Sequence, residues 1–173
     1  TMIISNGLVV ANGTETIGSA AGAVGTLTID GSSNVAQSAF IIGSSAGATG
    51  TVVVTGGFLL VTNNTFTLGS SGIGTLTSSN GTVLATNLVM GSAAGSTGAL
   101  NIAGGTIVVT NSTQTASFDN RLGTVTMNPD PAMPYSSARI SAGARSGPSP
   151  TSTSRAGSFS ATRANTFTMS RMF

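Results

Sequence analysis

A glycine recurs along this chain at almost fixed spacing: Gly25, Gly50, Gly74, Gly98 and Gly123, at intervals of 25, 24, 24 and 25 residues. Each heads a similar phrase, from Gly25-Thr-Leu-Thr-Ile29 and Gly50-Thr-Val-Val-Val54 to Gly123-Thr-Val-Thr-Met127. A period in this range marks a repeat architecture, in which one unit is too small to bury a core and must stack on its neighbours. Few other folds tolerate such regularity.

Within each repeat three parts follow the glycine. A short strand comes first, and its alternation sends Leu27, Ile29, Val52, Val54, Leu76, Leu100, Ile102, Val125 and Met127 inward. A turn built on glycine or Asn-Gly leads to a second, more apolar strand, as in Phe58-Leu-Leu-Val-Thr62 and Thr106-Ile-Val-Val-Thr110. The third part runs to Ile17-Gly-Ser, Ile42-Gly-Ser, Leu68-Gly-Ser and Met90-Gly-Ser, where a small-residue corner closes the circuit. Because like follows like at about 25 residues, the reading is an all-β, single-stranded parallel β-helix (a β-solenoid). Its successive coils hydrogen-bond at the ~4.8 Å strand spacing. A hairpin meander would instead pair unlike strands antiparallel. The count is roughly four full coils plus partial ones: residues 1–17 as the second half of a coil, and residues 118–128 as the start of another.

Two rows of polar residues follow from the alignment. Asn12, Asn63, Asn87 and Asn111, with Gln37 in the remaining row, are predicted to stack as an amide ladder. Thr26, Thr28, Thr51, Thr75, Thr77, Thr124 and Thr126 are predicted to form an outward row on the first strand. Thr is also simply a favoured residue on an exposed strand face.

The phrases Ile42-Gly-Ser-Ser-Ala-Gly-Ala-Thr-Gly-Thr-Val-Val-Val-Thr-Gly-Gly57 and Met90-Gly-Ser-Ala-Ala-Gly-Ser-Thr-Gly-Ala-Leu-Asn-Ile-Ala-Gly-Gly105 resemble the repeats of secreted bacterial surface proteins with autotransporter-passenger-like β-strand repeats. Over about residues 7–128 the resemblance implies a right-handed parallel β-helix. It also implies secretion to the extracellular space or cell surface and a structural or adhesive role. The remaining residues depart from it, with no room for a membrane barrel.

Chemistry is sparse. Only 6% of residues are charged, and His and Cys are absent. Glycoside hydrolysis needs two facing carboxylates, but Glu15, Asp30, Asp119 and Asp130 are scattered, with Glu15 and Asp30 expected solvated at turns. A serine nucleophile has no His or Lys as its base. Zinc has no His or Cys ligand, and the corners lack the Asp of a calcium-binding coil. No enzyme activity, cofactor or metal is therefore predicted. No apolar run is long enough to span a bilayer as a helix, and no membrane insertion is expected.

Charge divides the chain. Residues 1–128 carry Arg121 against three carboxylates, whereas residues 129–173 carry five arginines against Asp130 and all five prolines. The expected organisation is a solenoid at 1–128, a Pro/Ser-rich linker at 129–157 and a strand-patterned segment at 158–173. The arginines are too dispersed for a nucleic-acid surface. The expected partners are copies of itself, with cell-surface glycans as a further class. Solenoids without end caps offer unpaired strands to another chain. Head-to-tail assembly is therefore predicted through Met2, Ile3, Ile4 and Phe118, with Phe159, Phe167, Met169 and Phe173 clasping a neighbour or the chain's own coil. The alternative is an adhesin, or a carbohydrate- or ice-binding module, using the Thr and Asn rows.

Overall fold

The computed structural model describes residues 1–113 and 115–127, and the backbone of three further strands at 138–142, 158–161 and 165–167. The fold is an all-β solenoid of about five turns, with no helix among the described residues. One turn takes about 25 residues, since Gly25 pairs with Gly50 and Gly50 with Gly74.

Each turn lays down strands on three faces. The first face stacks β1 (Met2–Ser5), β4 (Val24–Asp30), β7 (Thr49–Val54), β9 (Ile73–Ser78), β11 (Thr97–Ile102) and β14 (Gly123–Met127), parallel throughout. The second face stacks β2 (Leu8–Ala11), β5 (Ser32–Ala36), the first half of β8 (Gly57–Leu68), the first half of β10 (Thr82–Met90), β12 (Thr106–Val109) and β15 (Ala138–Ala142). The third stacks β3 (Glu15–Ile17), β6 (Phe40–Ile42), the second halves of β8 and β10, and β13 (Ser117–Asn120).

Alternation decides what fills the interior. Leu27, Val52, Leu76, Leu100 and Val125 form one inward column, and Phe40, Phe66 and Leu88 lie in another; all are buried. Phe40 and Phe66 meet edge to face, with ring centroids 5.1 Å apart and planes at 80°. That geometry suits the aromatic quadrupole and adds to the area buried. A single apolar cluster runs from Ile4 to Met127.

The recurring glycine has a steric cause. Its φ is not among the left-handed values, so conformational freedom is not the requirement. A Cβ on Gly50 would lie 2.2 Å from the Ile17 carbonyl oxygen and 2.7 Å from the Gly43 nitrogen. Those two atoms are joined by an inter-coil hydrogen bond of 2.8 Å, Gly43 N–H donating to Ile17. Gly74 bears in the same way on the bond from Gly69 N–H to the Ile42 carbonyl. The glycine Cα thus rests against the bond that ties consecutive corners together.

Several expectations need correction. Residues 1–17 are not the second half of a coil, because β1 supplies a first-face strand with Met2 opposite Leu27 and Ile4 opposite Ile29. Ile4 is buried in the core and is not a free assembly residue, while Met2 and Ile3 are exposed. Phe118 lies opposite Leu88 and packs half-buried against the core, extending the third face. The stretch read as a linker contains β15, which pairs parallel with β12.

The Asn ladder does not form. Asn87 pairs with Thr65 and Ser117, not with Asn63, because the strand register shifts at this corner. Asn12 and Asn63 are exposed, and Asn111 bonds within its own loop to Thr115.

The far end is not left bare. β17 (Asn165–Phe167) pairs antiparallel with β14, and β16 (Ser158–Ala161) pairs antiparallel with β15. The outer edge of β14 is therefore occupied by the chain's own strand, and the free edge of this sheet passes to the short antiparallel β17. Phe167 lies opposite Val125 and Phe159 opposite Ile140 in the backbone register. Met169 and Phe173 fall outside the described residues.

Candidate functional site

Three features depart from simple stacking: the two outer sheet faces and one polar pair inside. On the first face, in-register pairing aligns the outward side chains into columns. One column is Thr26, Thr51, Thr75, Ala99 and Thr124, and the next is Thr28, Val53, Thr77, Asn101 and Thr126. A third runs Val24, Thr49, Ile73, Thr97, of which Val24 and Ile73 are exposed. The predicted Thr residues thus share one uncharged face, broken at Val53, Ala99 and Asn101. Neighbours sit ~4.8 Å apart between strands and ~6.6 Å apart along them.

The second face is different. Its middle outward column is apolar in five successive strands, Val10, Val35, Leu60, Leu84 and Val108, and meets Ser141 of β15 in register at its end. Beside it run Leu8, Ser33, Phe58, Thr82 and Thr106, with Leu8 65% and Phe58 49% exposed. On the other side the strand ends are polar, at Asn12, Gln37, Thr62, Thr86 and Thr110. An apolar stripe rimmed by polar residues differs from scattered surface leucines, which need no explanation. The repeat alignment held this signal in the alternate residues of the second strand.

Inside the first two turns lies the polar pair. Glu15 occupies the column that Phe40, Phe66 and Leu88 fill above it, so it points inward and not to a solvated turn. Asn34, fully buried between Val9 and Leu59 in register, donates its amide N–H to both Glu15 carboxylate oxygens at 3.0 and 3.1 Å. Burial raises the Glu15 pKa above its ordinary value, and the Asn34 hydrogen bond opposes that rise. The Asn34 Oδ1 is buried with no hydrogen-bond partner. An unmade bond of this kind costs on the order of 1–3 kcal/mol.

The two other carboxylates among the described residues are accounted for locally, and Asp130 lies outside those residues. Asp30 accepts from the Thr55 hydroxyl at 2.9 Å, on an exposed corner. Asp119 pairs with Arg121 at 2.7 Å, both largely exposed, a contact worth little in water. No group of three or more His, Cys, Asp or Glu side chains that could hold a metal occurs among the described residues. Ser78 replaces an aliphatic residue in an inward column, but its hydroxyl is satisfied by the Gly104 carbonyl at 3.1 Å. No protein family, no curated protein and no solved structure matches this chain.

Proposed function

We propose that this chain is a non-catalytic structural protein, a β-solenoid subunit of an extracellular filament or surface layer. The observation that carries the reading is the continuous in-register stack, whose interior is given over to packing and whose outer sheet faces carry almost no charge. Among the described residues Glu15, Asp30 and Asp119 do not face one another in pairs, and the stack offers rigidity and repeated surface where an enzyme would offer a converging site. The resemblance of the repeats to bacterial surface proteins supports the location outside the cell. Copies of the same chain are the partner this function calls for.

Electron microscopy and sedimentation of the purified protein test it. Elongated or layered assemblies that grow with concentration are the expected result. A chain that stays monomeric at every concentration refutes it.

A second reading rests on the aligned Thr columns of the first face: a module binding surface glycans or ice. Glycan-binding and ice-recrystallisation assays distinguish the two, since a purely structural subunit is silent in both.

A further inference from the structure

We propose that Asn12 is a self-modifying site, whose side-chain amide is converted to an aspartyl or isoaspartyl carboxylate through attack by the backbone nitrogen of Gly13. The inference stands apart from the assembling-subunit reading and concerns a corner to which that reading gives no role.

The reaction needs only water. The Gly13 nitrogen attacks the Asn12 Cγ, the new C–N bond closes a cyclic imide, and the side-chain nitrogen leaves as ammonia. Water then opens the imide at one of its two carbonyls. One opening leaves aspartate at position 12, and the other leaves isoaspartate, with the main chain running through Cγ. Nothing is oxidised or reduced. A glycine after the asparagine favours the attack, because no Cβ crowds the nitrogen and the peptide can swing freely. The chain has three such pairs, Asn6-Gly7, Asn12-Gly13 and Asn80-Gly81, and the fold treats them differently.

Asn12 and Gly13 form the corner between β2 and β3, and both are exposed. The inter-coil bonds stop where Gln37 N–H donates to the Ala11 carbonyl at 2.9 Å, and resume where Glu15 N–H donates to the Ala39 carbonyl at 3.0 Å. Between them, neither Asn12 nor Gly13 makes a hydrogen bond among the described residues. Nothing lies within 4 Å of the Gly13 Cβ position. The nitrogen can therefore reach Cγ without displacing a neighbour.

Asn80-Gly81 is held from both sides. Gly81 is buried, a Cβ on it would run into the Val54 side chain of the preceding turn, and its carbonyl accepts the Thr106 N–H of the following turn at 2.9 Å. A Cβ on Gly105 in that following turn would meet the Gly81 nitrogen and the Asn80 carbonyl carbon, so the attacking atom lies under a neighbouring backbone. Asn6-Gly7 is intermediate. Asn6 is exposed and sits in a turn at φ 55°, but the Gly7 carbonyl accepts the Ser33 N–H at 3.0 Å.

Conversion adds a negative charge to the corner that leads into Glu15, and the isoaspartyl form lengthens the backbone there. β3 is three residues long and pairs with β6, so it is the strand that the change loosens.

Peptide mapping by mass spectrometry tests the assignment, on the full chain kept folded at mildly alkaline pH and on the same chain in denaturant, with folding checked by circular dichroism. In the folded chain, Asn12 is expected to convert faster than Asn6 and at least about tenfold faster than Asn80, because a clamped peptide reacts only when its turn opens. In denaturant the three rates are expected to converge. Gly13→Ala should slow conversion at Asn12 and leave Asn6 at its native rate, since the added methyl group crowds the attacking nitrogen. Asn80 keeping pace with Asn12 in the folded chain, the same ranking persisting in denaturant, or an unchanged rate in Gly13→Ala overturns the assignment.

Discussion

Replacing Gly50 by alanine adds one methyl group, and its consequence follows from the corner geometry. The new carbon would lie 2.2 Å from the Ile17 carbonyl oxygen, 2.6 Å from the Ile42 Cγ2 and 2.7 Å from the Gly43 nitrogen. Two of these atoms are backbone and are the acceptor and donor of one inter-coil hydrogen bond. No rotamer change relieves the contact, so the turns must move apart. Overpacking of a rigid site costs ~1–3 kcal/mol, and opening a buried hydrogen bond adds ~1–3 kcal/mol. The expected destabilisation is therefore about 2–6 kcal/mol, which for a chain of this size lowers the melting temperature by roughly 4–24 °C. Gly13 is the internal control: nothing lies within 4 Å of its Cβ position, and its φ is not left-handed. Gly13→Ala should be neutral or stabilising by up to ~1 kcal/mol. Thermal and denaturant unfolding of the two variants measure the difference. Equal stability of Gly50→Ala and Gly13→Ala would refute the claim that the repeating glycine is set by this contact.

Three further outcomes are expected. Because burial raises the Glu15 pKa, its contribution to stability is present below its ordinary value and is lost as pH rises through the folded-state value; Glu15→Gln should therefore be more stable than the native chain at neutral pH, with the gap closing in acid, and melting curves across that range would expose a pH-independent gap. Phe66→Ala removes half of the edge-to-face pair at a fully buried position and should cost ~3–5 kcal/mol in denaturant unfolding. Deleting residues 128–173 removes β15, β16 and β17 and uncovers the edges of β14 and β12, so light scattering should register more association than for the full chain; equal or lower scattering would mean that these strands do not protect the edges.

The parts of the fold legible in the sequence are those that repeat. Alternation after each glycine identifies Leu27, Val52, Leu76, Leu100 and Val125 as one inward column, and the register aligns them. What escaped are elements lacking the repeat's punctuation. β1 shows only four residues of the repeated pattern, so Met2-Ile3-Ile4-Ser5 was not legible as the first strand of a turn. Constant spacing was misleading at the Asn row. Asn63 and Asn87 are 24 residues apart, but three residues separate Val61 from Thr65 where one separates Ala85 from Asn87, and the corner absorbs the excess. β15 through β17 lie in sequence without the repeat, where partner strands are chosen by tertiary contact and not by local pattern.

The candidate surfaces and the polar pair follow a different logic, because function in a periodic stack has to be written in departures from the period. Glu15-Thr-Ile-Gly18 aligns with Phe40-Ile-Ile-Gly43 and Phe66-Thr-Leu-Gly69, so an inward glutamate was readable from the sequence. Its partner was harder to find, since Asn34 meets it from another face and another turn. Ser78 shows what a purely structural departure looks like: its hydroxyl finds a carbonyl in the next turn, and its burial is offset. The Glu15–Asn34 pair is not offset in this way, because Asn34 Oδ1 stays unpaired and the carboxylate is held half out of water. An apolar pair of similar volume at these two positions should raise stability, as replacing buried polar pairs often does, by ~1–4 kcal/mol. The pair also alters the end of the stack. A further coil laid over the first turn would bury Glu15 completely, at a cost that grows with desolvation and that the aliphatic columns beside it do not impose. An inward charge at an end coil is a recognised way of discouraging strand addition.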